Sequence, residues 1–119
     1  MSKLTAAKIL SVAALVLVVG AAKPLAAAGQ DDAVKKGAQV YAAQKCQTCH
    51  SIAGKGGKAS PLDGVGKKLS ADEIKAWIVT PTEMTKKSGS TKKPPMPNKY
   101  SKLPAADIDA MVAYLASLK

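Results

Sequence analysis

The stretch KCQTCHSIAG, residues 45–54, holds both cysteines of the chain and its only histidine. Cys46, Cys49 and His50 fall within five positions, and the other residues of the 119 include neither type. Two cysteines so close together cannot cross-link distant parts of a fold. A disulfide across so short a loop would stabilise little. The grouping therefore describes one local site around which the rest of the chain must be arranged.

Three chemistries use such a group. A redox-active C-x-x-C pair is one, but the sequence shows nothing of the βαβ context it usually occupies. Zinc is another, but it takes about four protein ligands and only three crowded candidates are present. The third is covalent attachment of c-type haem, whose pattern is C-x-x-C-H. Two thiols three residues apart project from one side of a helical turn and can add across the two vinyl groups of one haem. The next residue then lies under the ring plane and can present an imidazole to the iron. Moving any one of the three breaks the match, so haem c bound through Cys46 and Cys49, with His50 as ligand, is the expected chemistry.

The size of the chain agrees. Lys3 and Lys8 precede an uncharged apolar run, residues 9–22, and Ala26-Ala27-Ala28 supplies small residues in an A-x-A pattern. This reads as a secretory signal over residues 1–28, cleaved after Ala28. The run is shorter than the roughly 20 residues of a spanning helix, and the rival reading is an uncleaved N-terminal anchor. Residues 29–119, the remaining 91, form one domain. A domain of that size buries only about 60–65% of its unfolded surface. Aromatic residues are 3% of the sequence and Phe is absent, so a non-protein group is expected to fill part of the core. Without it the chain is expected to be largely disordered.

All 18 cations are lysines, against 8 acids. Without Lys3, Lys8 and Lys23 the balance is 15 to 8, or +7. The absence of Arg and the scarcity of aromatics argue against nucleic-acid binding. A lysine surface steers a protein toward acidic partners.

Helical spacing predicts a first helix from Asp32 to about Gln44, with Asp31 and Asp32 as candidate caps. Gly37 inside it implies close approach by another element. Residues 51–66 read as loop, and no segment carries the two-residue alternation of a sheet. Ser70-Ala-Asp-Glu73 is a capping-box pattern ahead of Ile74, Trp77 and Ile78, and Thr80-Pro81 is expected to end that helix. Residues 85–95, TKKSGSTKKPP, read as a flexible cationic loop. Pro104 fits the first position of a last helix in which Ile108, Met111, Val112, Leu115 and Leu118 share a face.

Haem iron takes two axial ligands, and a single histidine rules out a bis-histidine site within one chain. Met, Lys, Tyr or water remain. Met111 lies on the apolar stripe, where packing explains it. Met96 sits in Pro94-Pro95-Met96-Pro97, where prolines stiffen an extended strap able to hold a thioether against the iron. Met84 is the other candidate, and a gap-filling surface methionine is the alternative for Met96.

The chain resembles class I c-type cytochromes, the small, soluble, bacterial, single-haem kind. The resemblance covers nearly all of Asp32 to Lys119. It rests on Gly37 and Tyr41, on Cys46-Gln-Thr-Cys49-His50, on Pro61-Leu62-x-Gly64-Val65, on Met96-Pro97 and on Tyr114-Leu115. It implies an all-α fold of three to four short helices around one covalent haem. The first and last helices would cross, with Gly37 and Tyr41 meeting Tyr114. It also implies that the backbone carbonyl of Pro61 accepts a hydrogen bond from the second ring nitrogen of His50. Trp77 would pack at the haem edge or bond a propionate, or else be a plain core tryptophan. The lysine-rich loop before Met96 and the proline at position 104 depart from the family pattern.

The expected function is single-electron transfer in the periplasm, with His50 and Met96 on the iron and no catalysis. The expected partners are redox proteins with acidic docking surfaces. The carrier would be monomeric, without a membrane span after cleavage and without nucleic acid. Two alternatives remain: a subunit that feeds electrons into a larger oxidoreductase complex, and a haem-based sensor or gas-binding module.

Overall fold

The structure is a computed structural model that describes residues 25–119. The expected leader, residues 1–28, lies outside the described residues except for its last four positions, whose backbone begins the first helix.

That helix, α1, spans Leu25–Ala43. It starts seven residues before the expected Asp32. Leu and Ala are among the strongest helix formers, and Gly29 alone does not outweigh the Leu-Ala-Ala-Ala turn. Asp31 and Asp32 therefore lie inside the helix and cap nothing. The last helix, α5, spans Ala105–Ser117. Pro104 is its cap and not its first residue, with extended backbone at φ −53° and ψ 140°. Its carbonyl accepts from the N–H groups of Asp107 and Ile108 at 2.9 and 3.1 Å.

The two helices pack against each other as the glycine implied. A Cβ on Gly37 would overlap the carbonyl oxygen of Ala110 and come within 2.6 Å of the Tyr114 Cβ. Only a residue with no side chain lets the backbones come this close. One turn on, the Tyr41 and Tyr114 rings meet edge to face, 5.7 Å apart at 63°. Ile108, Met111, Val112 and Leu115 are buried and Leu118 packs on their edge. Met111, only 2% exposed, is core.

Between these helices lie shorter ones: α2, Val65–Lys68, α3, Ala71–Val79, and α4, Pro81–Ser88. The capping box of α3 forms in full. Ser70 Oγ accepts from the Glu73 N–H at 3.2 Å, and Glu73 Oε2 accepts from the Ser70 N–H at 2.8 Å. These bonds hold the Glu73 carboxyl below its ordinary range. Ile74 and Ile78 of α3 complete the core.

Thr80-Pro81 ends α3 but does not end helical structure. Pro81 is the first residue of α4, a position where its missing N–H is no loss. Residues 85–88 are therefore helical, and Gly89, at φ 64°, closes the helix. Only residues 89–95 remain of the expected loop. A 3-10 turn, Asn98–Lys102, follows.

The expectation of no sheet also needs correction. Residues 51–52 (β1) and 55–56 (β2) form a short antiparallel ladder, Ser51 opposite Gly56 and Ile52 opposite Lys55. Ala53 and Gly54 make the turn at φ 51° and 75°. The Ala53 N–H donates to Asp63 Oδ1 at 2.7 Å. Two residues per strand are too few to show alternation, and the signal lay in the turn. The architecture is otherwise all-α, as expected. No helix among the described residues is long and apolar enough to cross a membrane.

Candidate haem site

The C-x-x-C-H segment is formed where α1 stops. Lys45 takes left-handed backbone, φ 56° and ψ 35°, and turns the chain into a 3-10 turn over Cys46–Thr48. The Cys46 carbonyl then accepts from the N–H groups of both Cys49, at 3.2 Å, and His50, at 3.0 Å. The spacing of the three residues is thus locked by local backbone bonds. Cys46 is half-buried against the core and Cys49 is exposed, and both are free thiols. Burial pushes the Cys46 thiol up, which keeps it un-ionised.

His50 is oriented by a carbonyl. Its Nδ1 lies 2.8 Å from the carbonyl oxygen of Ser60. A carbonyl only accepts, so Nδ1 must carry the proton and Nε2 is left with its lone pair. The expected acceptor was Pro61, one residue later. The Leu62 N–H donates to the Ser51 carbonyl at 2.8 Å. Across a planar trans peptide the Pro61 C=O points opposite to the Leu62 N–H. Pro61 is therefore turned away, and the preceding carbonyl takes its place.

Several neighbours of this segment were not foreseen. The Tyr41 hydroxyl donates to the His50 carbonyl at 3.4 Å, and burial pushes its pKa to about 12. Gly56 and Gly57 lie against the same backbone. A Cβ on Gly56 would overlap the His50 carbonyl oxygen, and one on Gly57 would overlap the Thr48 carbonyl oxygen and sit 2.8 Å from the Cys49 Cα. In sequence these glycines looked like ordinary loop residues. Tyr100 is buried, with its hydroxyl shifted up by burial and by the nearness of Cys46 and Cys49. The one signal for it was an aromatic shortly after the methionine strap.

Met96 is half-buried and packs against the core cluster. It shares a groove with Thr82, Thr85, Pro95 and Asn98. Two residues lining that groove are bonded to each other, the Thr82 hydroxyl donating to Asn98 Oδ1 at 3.0 Å. Met84 lies inside α4, also half-buried. Trp77 is half-buried and stands outside the cluster that Ile74 and Ile78 of the same helix join.

The donor set fits haem c. Two free thiols flank one short turn, an imidazole keeps one nitrogen for a metal, and a thioether is held on a separate strap. Among the described residues no three His, Cys, Asp or Glu side chains gather as a metal cluster. A porphyrin brings four nitrogens of its own, so the chain need supply only the axial ligands.

Comparison with known proteins agrees. A sequence model of the cytochrome c family matches residues 34–119. The chain is similar to cytochrome c-555 of Methylococcus capsulatus (strain ATCC 33009 / NCIMB 11132 / Bath), 38% identical over 78 residues. The match spans 65% of this chain and 63% of that relative. No solved structure matches. With the match running from the start of the packed part of α1 to the last residue, the chain belongs to the cytochrome c family, whose cofactor is covalently attached haem c.

Proposed function

We propose that this protein is a periplasmic single-electron carrier with one haem c on Cys46 and Cys49 and with His50 and Met96 as axial ligands. The observation that carries the proposal is the His50 hydrogen bond to Ser60, which fixes the tautomer and leaves the Nε2 lone pair for a metal. When bound, the haem supplies reversible exchange between ferric and ferrous iron. The chain's own residues do the rest. The cysteines tether the ring, His50 is held in one orientation, and Met96 on its strap offers a soft thioether, which favours the ferrous state and raises the potential. Ligands that stay in place in both states leave little to reorganise. Trp77, half-exposed on α3, is read as covering the haem edge.

Location and partners belong to the same reading. The leader over residues 1–28 sends the chain across the inner membrane. Cleavage after Ala28 removes the first four residues of α1. The excess lysines favour redox partners with acidic docking surfaces, in small and short-lived complexes. The carrier acts as a monomer and performs no catalysis.

A visible spectrum and redox titration of the purified holoprotein test this reading. Six-coordinate spectra in both states and reversible one-electron titration are expected. Carbon monoxide bound by the reduced wild-type protein at neutral pH would overturn it in favour of a gas-binding role.

A further inference from the structure

The strap that carries Met96 is held in an unusual way. Among the described residues, positions 91–97 make no backbone–backbone hydrogen bond. The Lys92 N–H reaches only the Ser90 hydroxyl, at 3.4 Å. Prolines limit the conformations of this segment but do not fix where it sits relative to the core. Something must hold its position.

The Thr82–Asn98 hydrogen bond is placed to do so. Asn98 is two residues past Met96, and Thr82 is sixteen residues earlier in the chain. Both sit on anchored elements. Thr82 follows Pro81, which is fully buried. Asn98 opens the 3-10 turn that contains buried Tyr100, and its carbonyl accepts from Ser101 Oγ at 2.9 Å. The bond closes α4 onto the C-terminal end of the strap, across the groove in which Met96 lies.

We propose that Thr82 and Asn98 are positioning residues that latch the Met96 strap, and that this latch sets how readily an outside ligand displaces the methionine. The proposal rests on Met96 being the sixth ligand. Opening the latch leaves Met96 and its prolines intact but frees the end of the strap nearest the sulfur. A net contribution typical of one neutral hydrogen bond corresponds to roughly a twofold to tenfold change in the equilibrium between closed and open strap.

Imidazole titration of the ferric holoprotein, followed in the visible spectrum, tests the latch. Thr82→Val removes the hydroxyl with little change of shape and is expected to raise imidazole affinity roughly twofold to tenfold. Thr82→Ser keeps the donor and is expected to bind imidazole as the wild type does. Asn98→Ala removes the same bond from the other side and should match Thr82→Val, so the test survives if one variant does not fold. Met96→Ala serves as the reference for an open iron. If Met96→Ala raises affinity and neither latch variant does, the latch is wrong while the ligand reading stands. A Thr82→Ser protein that behaves as Thr82→Val also overturns the latch, since shape and not the hydrogen bond would then be responsible. If Met96→Ala leaves the affinity unchanged, the ligand reading fails and the latch falls with it.

Discussion

The two sides of the candidate haem site are built differently. On the cysteine side, the Cys46 carbonyl accepts from Cys49 and His50, the Gln47 carbonyl accepts from the Gly57 N–H just past β2, and the His50 ring is bonded to the Ser60 carbonyl. Glycines 56 and 57 let that backbone be packed on from outside. On the methionine side, the strap has no backbone ladder and depends on prolines, on the packing of Met96 and on one side-chain bond. A rigid side suits the residues that must meet a cofactor at three fixed points. A loosely tied side suits a ligand that only has to stay in reach of one atom. The contrast teaches that local hydrogen bonding can specify one half of a site while the other half waits for the cofactor and the tertiary fold.

The strongest way to break this contrast is to remove the tether. Cys46→Ala combined with Cys49→Ala should abolish covalent haem attachment, read by mass spectrometry after denaturation. The resulting chain should lose most of its helical circular dichroism, because a small core with few aromatics lacks its largest filler. A cooperative, fully helical apoprotein would show that the cysteine side does not need the cofactor to be rigid.

Met96→Ala should act on one side only. Haem should stay covalently attached, the weak long-wavelength sulfur-to-iron band of the ferric protein should vanish, the potential should fall, and the ferrous protein should bind carbon monoxide. Met84→Ala should leave all four properties unchanged. The reverse result would move the ligand to α4.

Gly57→Ala should test the tightness of the cysteine side. The added methyl would press on the Thr48 carbonyl and the Cys49 Cα. Overpacking of this kind costs about 1–3 kcal/mol, to be read as a lowered denaturation midpoint. An Ala placed in the open strap, at the exposed Thr91, should change stability by only about 0.5 kcal/mol or less. Equal effects at the two positions would erase the contrast.

The smallest effect belongs to neither side. Ser70→Ala removes the α3 cap and should lower stability by about 1 kcal/mol without altering the haem spectrum. The capping box also predicts a pH dependence. Glu73 is held below its ordinary pKa of 4.5, first by the Ser70 backbone N–H and then by the Ser70 hydroxyl. A carboxyl depressed in the folded state binds more protons when unfolded, so its contribution is full above about pH 4.5 and fades as pH falls through the depressed folded value. In Glu73→Gln, which removes the titrating carboxyl, the acid side of the stability curve should flatten. An unchanged curve would remove Glu73 from the account.

Much of this was legible in the residues. Cys46, Cys49 and His50 are bound to one backbone turn, so their spacing carries their chemistry wherever that turn lies. The α5 stripe and the Ser70 capping box are likewise local patterns, and a helix reads its own period. Gly37 announced a close contact because an unfavourable helix residue needs a reason. What local pattern could not decide were contacts between distant segments. The acceptor for His50 moved from Pro61 to Ser60 because a hydrogen bond from Leu62 to Ser51 sets the direction of one peptide plane. The glycines under Cys49 and His50 matter only because a two-residue hairpin folds back over them. Thr82 and Asn98 meet because α4 begins one residue after α3 ends and brings a hydroxyl to the end of the strap. Composition and spacing settle which groups can take part in the chemistry, since those are properties of the residues themselves. Directions and meetings across many residues are settled by tertiary structure, since they depend on how separate elements pack.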